Sequence, residues 1–437
     1  IAVNLPHLPG ISIERNERRI FPQGSLAVHV TGYVGRVSKS EQNKNSPESF
    51  LPGFRIGKSG IELQYDIDMR GLPGTKRVEV NSLGKVIKSS IEKDTIKGKN
   101  INLSLDIHLQ TFALRRLQAG NDKLISINET KAKKVLDKSK SFAWQLKDDR
   151  NHINQNHNGD YVLPESGSVV VMDVNTGEVV VSVSAPTYDP NKFTHGINQK
   201  DWQEIRNNPL KPLINKSIAG LYSPGSTFKP LVALAALEYG ILDPNKTIRC
   251  KGHKHPYELY GVKYHCWKKE GHGYMKLRNA IKQSCDIYFY EMARLLGVDK
   301  LSIIAKRYGL GTNVLGDLYN DEKNGLVPDT KWKRRALEQS WYLGETVING
   351  IGQGYIQTTP LQLCLMTAQI ANGGYKIKPH IIKDDSINYK DVINKIKLDQ
   401  SNFPLHERNY LDDIDVGYYQ RMYHKKSNID WINCGFH

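Results

Sequence analysis

The chain has 437 residues, 39% hydrophobic and 24% charged, the balance of a globular protein of two or three domains; a fibrous or disordered chain is excluded. Its 61 Lys and Arg against 45 Asp and Glu leave a net charge of +16, which fits either an anionic partner or a plain excess of solvated lysine. Five cysteines in this length exclude a scaffold built on disulfides. The first residue is Ile1 rather than Met, so an anchor segment is expected upstream. Arg77 to Val80 and Lys85 to Ile87 read as two short strands around an Asn81-Ser82-Leu83-Gly84 turn. Ile101 to Leu105 alternates apolar and polar residues, as a half-buried strand does, and Leu109, Phe112, Ala113 and Leu117 then fall at helical spacing up to Gly120. Residues 121–165 are polar and rich in Lys and Asn, the pattern of a long insertion. Two β-branched runs, 167–173 and 178–183, flank Asn175-Thr176-Gly177 and predict a hairpin. Helical patterns dominate from there to about residue 375, and 380–437 show no clear pattern.

The segment Pro224-Gly225-Ser226-Thr227-Phe228-Lys229-Pro230 carries the chemistry. Pro-Gly breaks what precedes it, and Phe228, Leu231, Leu234, Ala235 and Leu237 give helical spacing that Gly240 stops. Ser226 is thus placed at a helix N-terminus with Lys229 one turn along the same face. A serine hydroxyl needs a base to act as a nucleophile, a neutral lysine can be one, and free amides at a helix start suit an oxyanion. Taken alone, the pair equally describes a helix cap and a solvated lysine. Ser284-Cys285-Asp286 breaks two apolar helical runs, and a polar Ser-x-Asp there is poorly explained as core. Gly350, Gly352 and Gly354 crowd five residues ahead of a Thr359-Pro360 helix start. The longest apolar run, Leu231 to Leu242, is too short to span a bilayer and holds Glu238.

Together these segments resemble the penicillin-binding proteins. Ser226 and Lys229 match the Ser-x-x-Lys motif, and Ser284 and Asp286 match Ser-x-Asn with Asp in place of Asn. Leu51-Pro52-Gly53, Gly60-Ile61-Glu62 and Tyr65-Asp66 look like the non-catalytic pedestal of the class B members. Residues Ser184 to Asn191 look like the start of their transpeptidase domain, and Trp267-Lys268-Lys269 with Gly271-His272-Gly273 resembles the elongation-specific type 2. The resemblance implies an α+β, multidomain protein: a pedestal-like domain over 1–108 and a transpeptidase domain over 109–437, each incomplete at its outer end. It implies a serine D,D-transpeptidase acting on peptidoglycan stem peptides and acylated by β-lactams, with Ser226 as nucleophile, Lys229 as base, Ser284 as proton relay and Asp286 fixing the local hydrogen bonds. It implies no cofactor for catalysis. It also implies a place on the periplasmic face of the cytoplasmic membrane, beside a membrane glycosyltransferase and other elongation-complex proteins.

The third motif of the family, Lys-Ser/Thr-Gly, is missing from its usual place. Lys58-Ser59-Gly60 lies far upstream and reads as an ordinary loop, and Lys426-Ser427-Asn428 has Asn where close substrate approach asks for Gly. A truncated chain that acylates slowly is therefore expected, and a non-catalytic scaffold of the elongation complex is the alternative. A β-lactamase shares the first motif, but the long N-terminal part argues against it. Neither zinc-finger spacing nor an aromatic-basic strand supports a nucleic-acid partner. Cys250, Cys266, His272 and Cys285 form a Cys3His set with the donor types of a structural zinc; a Cys250–Cys266 disulfide and inert thiols are the rival readings, and His253, His255 and His265 are weaker ligand candidates.

Overall fold

The computed structural model describes residues 18–42, 54–82, 86–118, 166–316, 319–383 and 394–395. These fall into two compact units, one drawn from Ile1–Asn100 with Thr187–Leu213, the other from Ile101–Pro186 with Ile214–His437.

In the first unit Val34–Arg36 pairs antiparallel with Arg55–Gly57, and the short helices Val28–Thr31, Gly60–Gln64 and Asp66–Arg70 surround them. Gly60 has φ +57°, and a Cβ on it would lie 2.4 Å from the Val30 carbonyl oxygen. The Lys58-Ser59-Gly60 triplet is thus a packed corner at the start of a helix, where Gly is required by backbone contact. The two expected strands around residue 82 are longer than the pattern suggested: Thr75–Val80 pairs with Val86–Lys93 as a twisted ribbon whose every residue is exposed. The segment 187–213 rejoins this unit, where Tyr188 and Phe193 pack with Val28, Tyr33 and Trp202.

The second unit contains the expected hairpin, Gly167–Met172 against Val179–Ala185. Helix Ile107–Gln118 lies on it, and the buried Gln110 side chain both accepts from the Ser182 amide (2.9 Å) and donates to its carbonyl (2.7 Å). The expected strand over 101–105 is instead a single bridge between Leu103 and Ile382. The reason is local: Asp106 takes the amides of His108 and Leu109 on its carboxylate, so the helix begins before a ladder can extend. Helices Lys216–Ala219 and Pro360–Ala371 pack against the hairpin. The second of these starts with the reciprocal Thr359–Gln362 box and Pro360 in its first turn. Gly120, residues 121–165, Lys426-Ser427-Asn428 and nearly all of 380–437 lie outside the described residues.

The main core is helical. Helix Lys229–Glu238 buries Leu231, Val232, Ala233, Ala235, Ala236 and Leu237, an apolar surface on nearly all sides, as a central helix requires. Tyr288, Phe289 and Met292 of helix Asp286–Leu296 and Leu301 and Ile304 of helix Val298–Arg307 close around it. This packing brings the starts of helices Lys229–Glu238 and Asp286–Leu296 side by side.

Candidate active site

Gly225–Phe228 forms one 3-10 turn that runs directly into helix Lys229–Glu238, so Ser226 stands on the turn just ahead of the expected helix start. Gly225 has φ +57° and donates its amide to the Gly352 carbonyl at 2.8 Å. Gly352 has φ +71°, and a Cβ there would lie 2.2 Å from the Gly225 oxygen. The glycine-rich segment is therefore the backbone support of the Ser226 turn. Two further bonds between Tyr222 and Thr358 brace the approach.

Lys229 is 2% exposed. Its ammonium donates to the Ser284 carbonyl (2.9 Å), the Ser284 hydroxyl (2.9 Å) and Asp286 Oδ1 (2.6 Å), so each of its three N–H groups has an acceptor. The Ser284 hydroxyl in turn donates to Ser226 Oγ at 2.9 Å. The link from Lys229 to Ser226 thus runs through Ser284. Ser284 has φ +50°, a left-handed conformation unusual for a residue other than glycine. It sits on the corner between helices Leu277–Lys282 and Asp286–Leu296, where its amide donates to the Ile281 carbonyl at 3.1 Å. The four residues expected from the first two motifs are all in this one chain of hydrogen bonds.

The model of the penicillin-binding protein transpeptidase domain matches residues 167–407, and that of the penicillin-binding protein dimerisation domain matches residues 1–103. The chain belongs to the penicillin-binding protein 2 family. It is 34% identical to the peptidoglycan D,D-transpeptidase MrdA of Acinetobacter baumannii, over 86% of this chain and 49% of the relative. Against MrdA of Escherichia coli K12 the figures are 32%, 90% and 55%. A structure of Pseudomonas aeruginosa PBP2 in complex with WCK 5153 aligns with a TM-score of 0.65 at 35% identity, over 85% of this chain and 68% of that one. The complex of PBP2 and MreC from Helicobacter pylori aligns with a TM-score of 0.71 at 29% identity, over 97% and 68%. The chain spans about half the length of the curated relatives it matches.

Beside the second motif of this penicillin-binding protein, Cys250, Cys266, His272 and Cys285 come together with their four donor atoms within 4.8 Å of one another. The three cysteines are buried and none is in a disulfide. Residues 250 and 273 pair in a short antiparallel ladder, which sets Cys250 beside His272; its Nδ1 lies 3.6 Å from Cys250 Sγ and 3.4 Å from Cys266 Sγ. The Cys266 thiol is lowered to about 5 by the hydrogen bond it accepts from Cys285, against the opposing effect of burial, with further help from the Lys268 and Asp286 amides. The Cys285 thiol is pushed up by the same bond and by burial. His253 stands outside the set of four donors: its Nε2 lies 2.8 Å from the Cys266 carbonyl and its ring against that of His265.

Two site residues lie outside the Ser-x-x-Lys and Ser-x-Asn motifs. Trp267 donates its backbone amide to Asp286 Oδ2 at 2.9 Å, and Phe289 places its ring 5.7 Å from the Lys229 ammonium. Trp267 was legible as a family feature; its contact with Asp286 depends on the fold.

Proposed function

We propose that this protein is a peptidoglycan D,D-transpeptidase of cell elongation. The observation that carries the reading is the continuous path from Lys229 Nζ through Ser284 Oγ to Ser226 Oγ, with both steps at 2.9 Å. Ser226 Oγ attacks the carbonyl of the penultimate D-Ala of a stem peptide. Its proton passes to Ser284 as the Ser284 proton passes to Lys229, which must have given up one proton beforehand to serve as a base. The same path returns a proton to the departing D-Ala nitrogen. A neutral amine of a neighbouring strand then attacks the acyl carbonyl, and as the bond to Ser226 Oγ breaks the amine's proton passes to Lys229 while Ser226 Oγ takes one back through Ser284. Asp286 holds Lys229 in line, and the Ser226 amide is one oxyanion donor. No cofactor takes part in these steps. β-Lactams, whose ring amide resembles the substrate, acylate the same serine.

Three thiol sulfurs and one imidazole nitrogen whose donor atoms all lie within 4.8 Å of one another fit zinc by donor chemistry. Cys250, Cys266, His272 and Cys285 would hold it, and the ion would serve structure, tying residue 285 in place between Ser284 and Asp286. Among the described residues no helix is long and apolar enough to cross a membrane. The elongation reading places the domain on the periplasmic side of the cytoplasmic membrane, held by an upstream anchor, with a membrane glycosyltransferase and other elongation-complex proteins as partners; the likeness to the PBP2–MreC complex supports such an assembly.

Fluorescent penicillin tests the reading. Covalent label on the parent chain and none on Ser226→Ala is the expected result. A folded parent that takes no label would return the protein to the scaffold alternative, and equal labelling of both would remove Ser226 as nucleophile. Protein purified without a histidine tag should carry about one zinc per chain by elemental analysis, the stoichiometry of a closed four-ligand site.

A further inference from the structure

Trp267 lies 61% exposed at the edge of the site, where its aromatic surface buries little. Its two N–H groups are nonetheless both engaged at the second motif and the residue before it. The indole Nε1–H donates to the Ser284 carbonyl at 3.0 Å and to the Gln283 carbonyl at 3.2 Å. The backbone N–H donates to Asp286 Oδ2 at 2.9 Å. Lys229 uses the same two acceptor groups from the other side, the Ser284 carbonyl and Asp286 Oδ1. A carbonyl has two lone pairs and a carboxylate two oxygens, and here residue 267 takes one of each and Lys229 the other. The third partner of Lys229, the Ser284 hydroxyl, is left to face Ser226.

The peptide group after Ser284 is held from both ends. Its carbonyl is clamped by Lys229 and Trp267, and its N–H, on Cys285, donates to the Ala280 carbonyl at 2.9 Å. Such clamping is what a left-handed serine requires, because a strained φ persists only where its surroundings over-determine it. The indole ring is itself set edge-on against the His272 ring, with centroids 5.3 Å apart, and its neighbour Cys266 belongs to the buried cluster.

We infer that Trp267 is a positioning residue for acyl transfer: its indole N–H fixes the Ser284 carbonyl and thereby aims the Ser284 hydroxyl at Ser226. The inference rests on the transpeptidase reading and extends it to a residue outside the motifs.

Replacement of Trp267 by 3-benzothienylalanine keeps the ring shape and exchanges N–H for sulfur; Trp267→Phe is the simpler second variant. Stopped-flow acylation by a fluorescent penicillin separates noncovalent affinity from the acylation rate constant. Both variants should lose roughly tenfold in the rate constant, the worth of one hydrogen bond, with affinity for the intact penicillin unchanged and the melting temperature lowered by only a few degrees. An unchanged rate constant in the benzothienyl protein overturns the inference while leaving Ser226 as nucleophile. A loss confined to Trp267→Phe also overturns it, since ring size and not the N–H would then be at work. A parent chain that Ser226→Ala matches in labelling overturns the transpeptidase reading and the inference with it.

Discussion

Two lysines of the second unit are buried to the same degree and differ in what surrounds the charge. Lys229 and Lys333 are 2% and 0% exposed, and each is paired with a carboxylate, Asp286 and Glu345 respectively. Around Lys333 the remaining neighbours are aromatic faces: Tyr342, Tyr355 and Trp341 at 4.5, 5.8 and 5.9 Å from the ammonium. Glu345 is further engaged by the Tyr342 amide at 2.9 Å, as the N3 member of the box that starts helix Leu343–Asn349. The Lys333 ammonium donates to Glu345, and the Tyr355 hydroxyl donates to the same carboxylate oxygen at 3.4 Å, so the bonds of this cage close on the ion pair. Around Lys229 one aromatic face is present and the other places are taken by Ser284, whose hydroxyl reaches Ser226. Burial and an ion pair are thus common to both lysines. A hydroxyl neighbour that is itself bonded to a second serine hydroxyl separates them, and the consequence can be tested at both sites.

The largest contrast should come from removing each ammonium. Lys229→Ala is expected to lower the second-order rate of penicillin labelling by about a thousandfold, the range of a lost general base. Lys333→Met should label at the parent rate. A large labelling loss in Lys333→Met with a native melting curve would erase the distinction between the two lysines. The stability effect should be reversed in emphasis: Lys333→Met leaves Glu345 without its buried partner and should cost about 3 kcal/mol in denaturant unfolding. Adding Glu345→Gln removes the stranded charge and keeps a side chain able to accept the Tyr342 amide, so the double variant should recover much of that loss. A double variant no better than Lys333→Met would mean that the aromatic cage, not the pair, holds the segment.

The difference between the lysines also marks where the sequence was readable. Lys229 was legible because its partner Ser226 is three residues away and the periodicity after it is plainly helical. Lys333 sits in a charged stretch, Lys331-Trp332-Lys333-Arg334-Arg335, where one buried ammonium among exposed ones leaves no mark. Its burial depends on aromatic residues that the fold brings back over it. Hairpin 167–185 was readable from its β-branched runs, and the ribbon after residue 75 only in part, since its strand ends carry Lys and Ser in the solvent on both faces. The strand expected at 101–105 failed because the Asp106 cap starts a helix there. Nothing in residues 187–213 announces their return to the first unit; that follows from an aromatic cluster assembled across distant segments. The Cys3His grouping was visible as residue types, whereas its closeness depends on a ladder between residues 250 and 273 that composition does not encode.

The smallest effect sharpens the comparison most. Asp286 is bridged, with Oδ1 on Lys229 and Oδ2 on the Trp267 amide. Asn at this position has one acceptor oxygen and one donor group. Turned with its oxygen to the Trp267 amide, it presents its NH2 to Lys229, which can accept that bond only when neutral. The substitution therefore removes a charge that holds the ammonium and offers a partner for the amine, the form that can take the Ser226 proton. Asp286→Asn should accordingly label within about tenfold of the parent, the scale of one exchanged hydrogen bond. At the other lysine the equivalent change, Glu345→Gln alone, gives no such gain: the Lys333 ammonium loses its counter-charge inside an aromatic cage, and the cost appears as lower unfolding stability with labelling unchanged. A thousandfold fall in Asp286→Asn, equal to that of Lys229→Ala, would show that the negative charge of residue 286 is indispensable. Lys229 would then depend on its carboxylate as Lys333 does, and the Ser284 hydroxyl alone would distinguish the two.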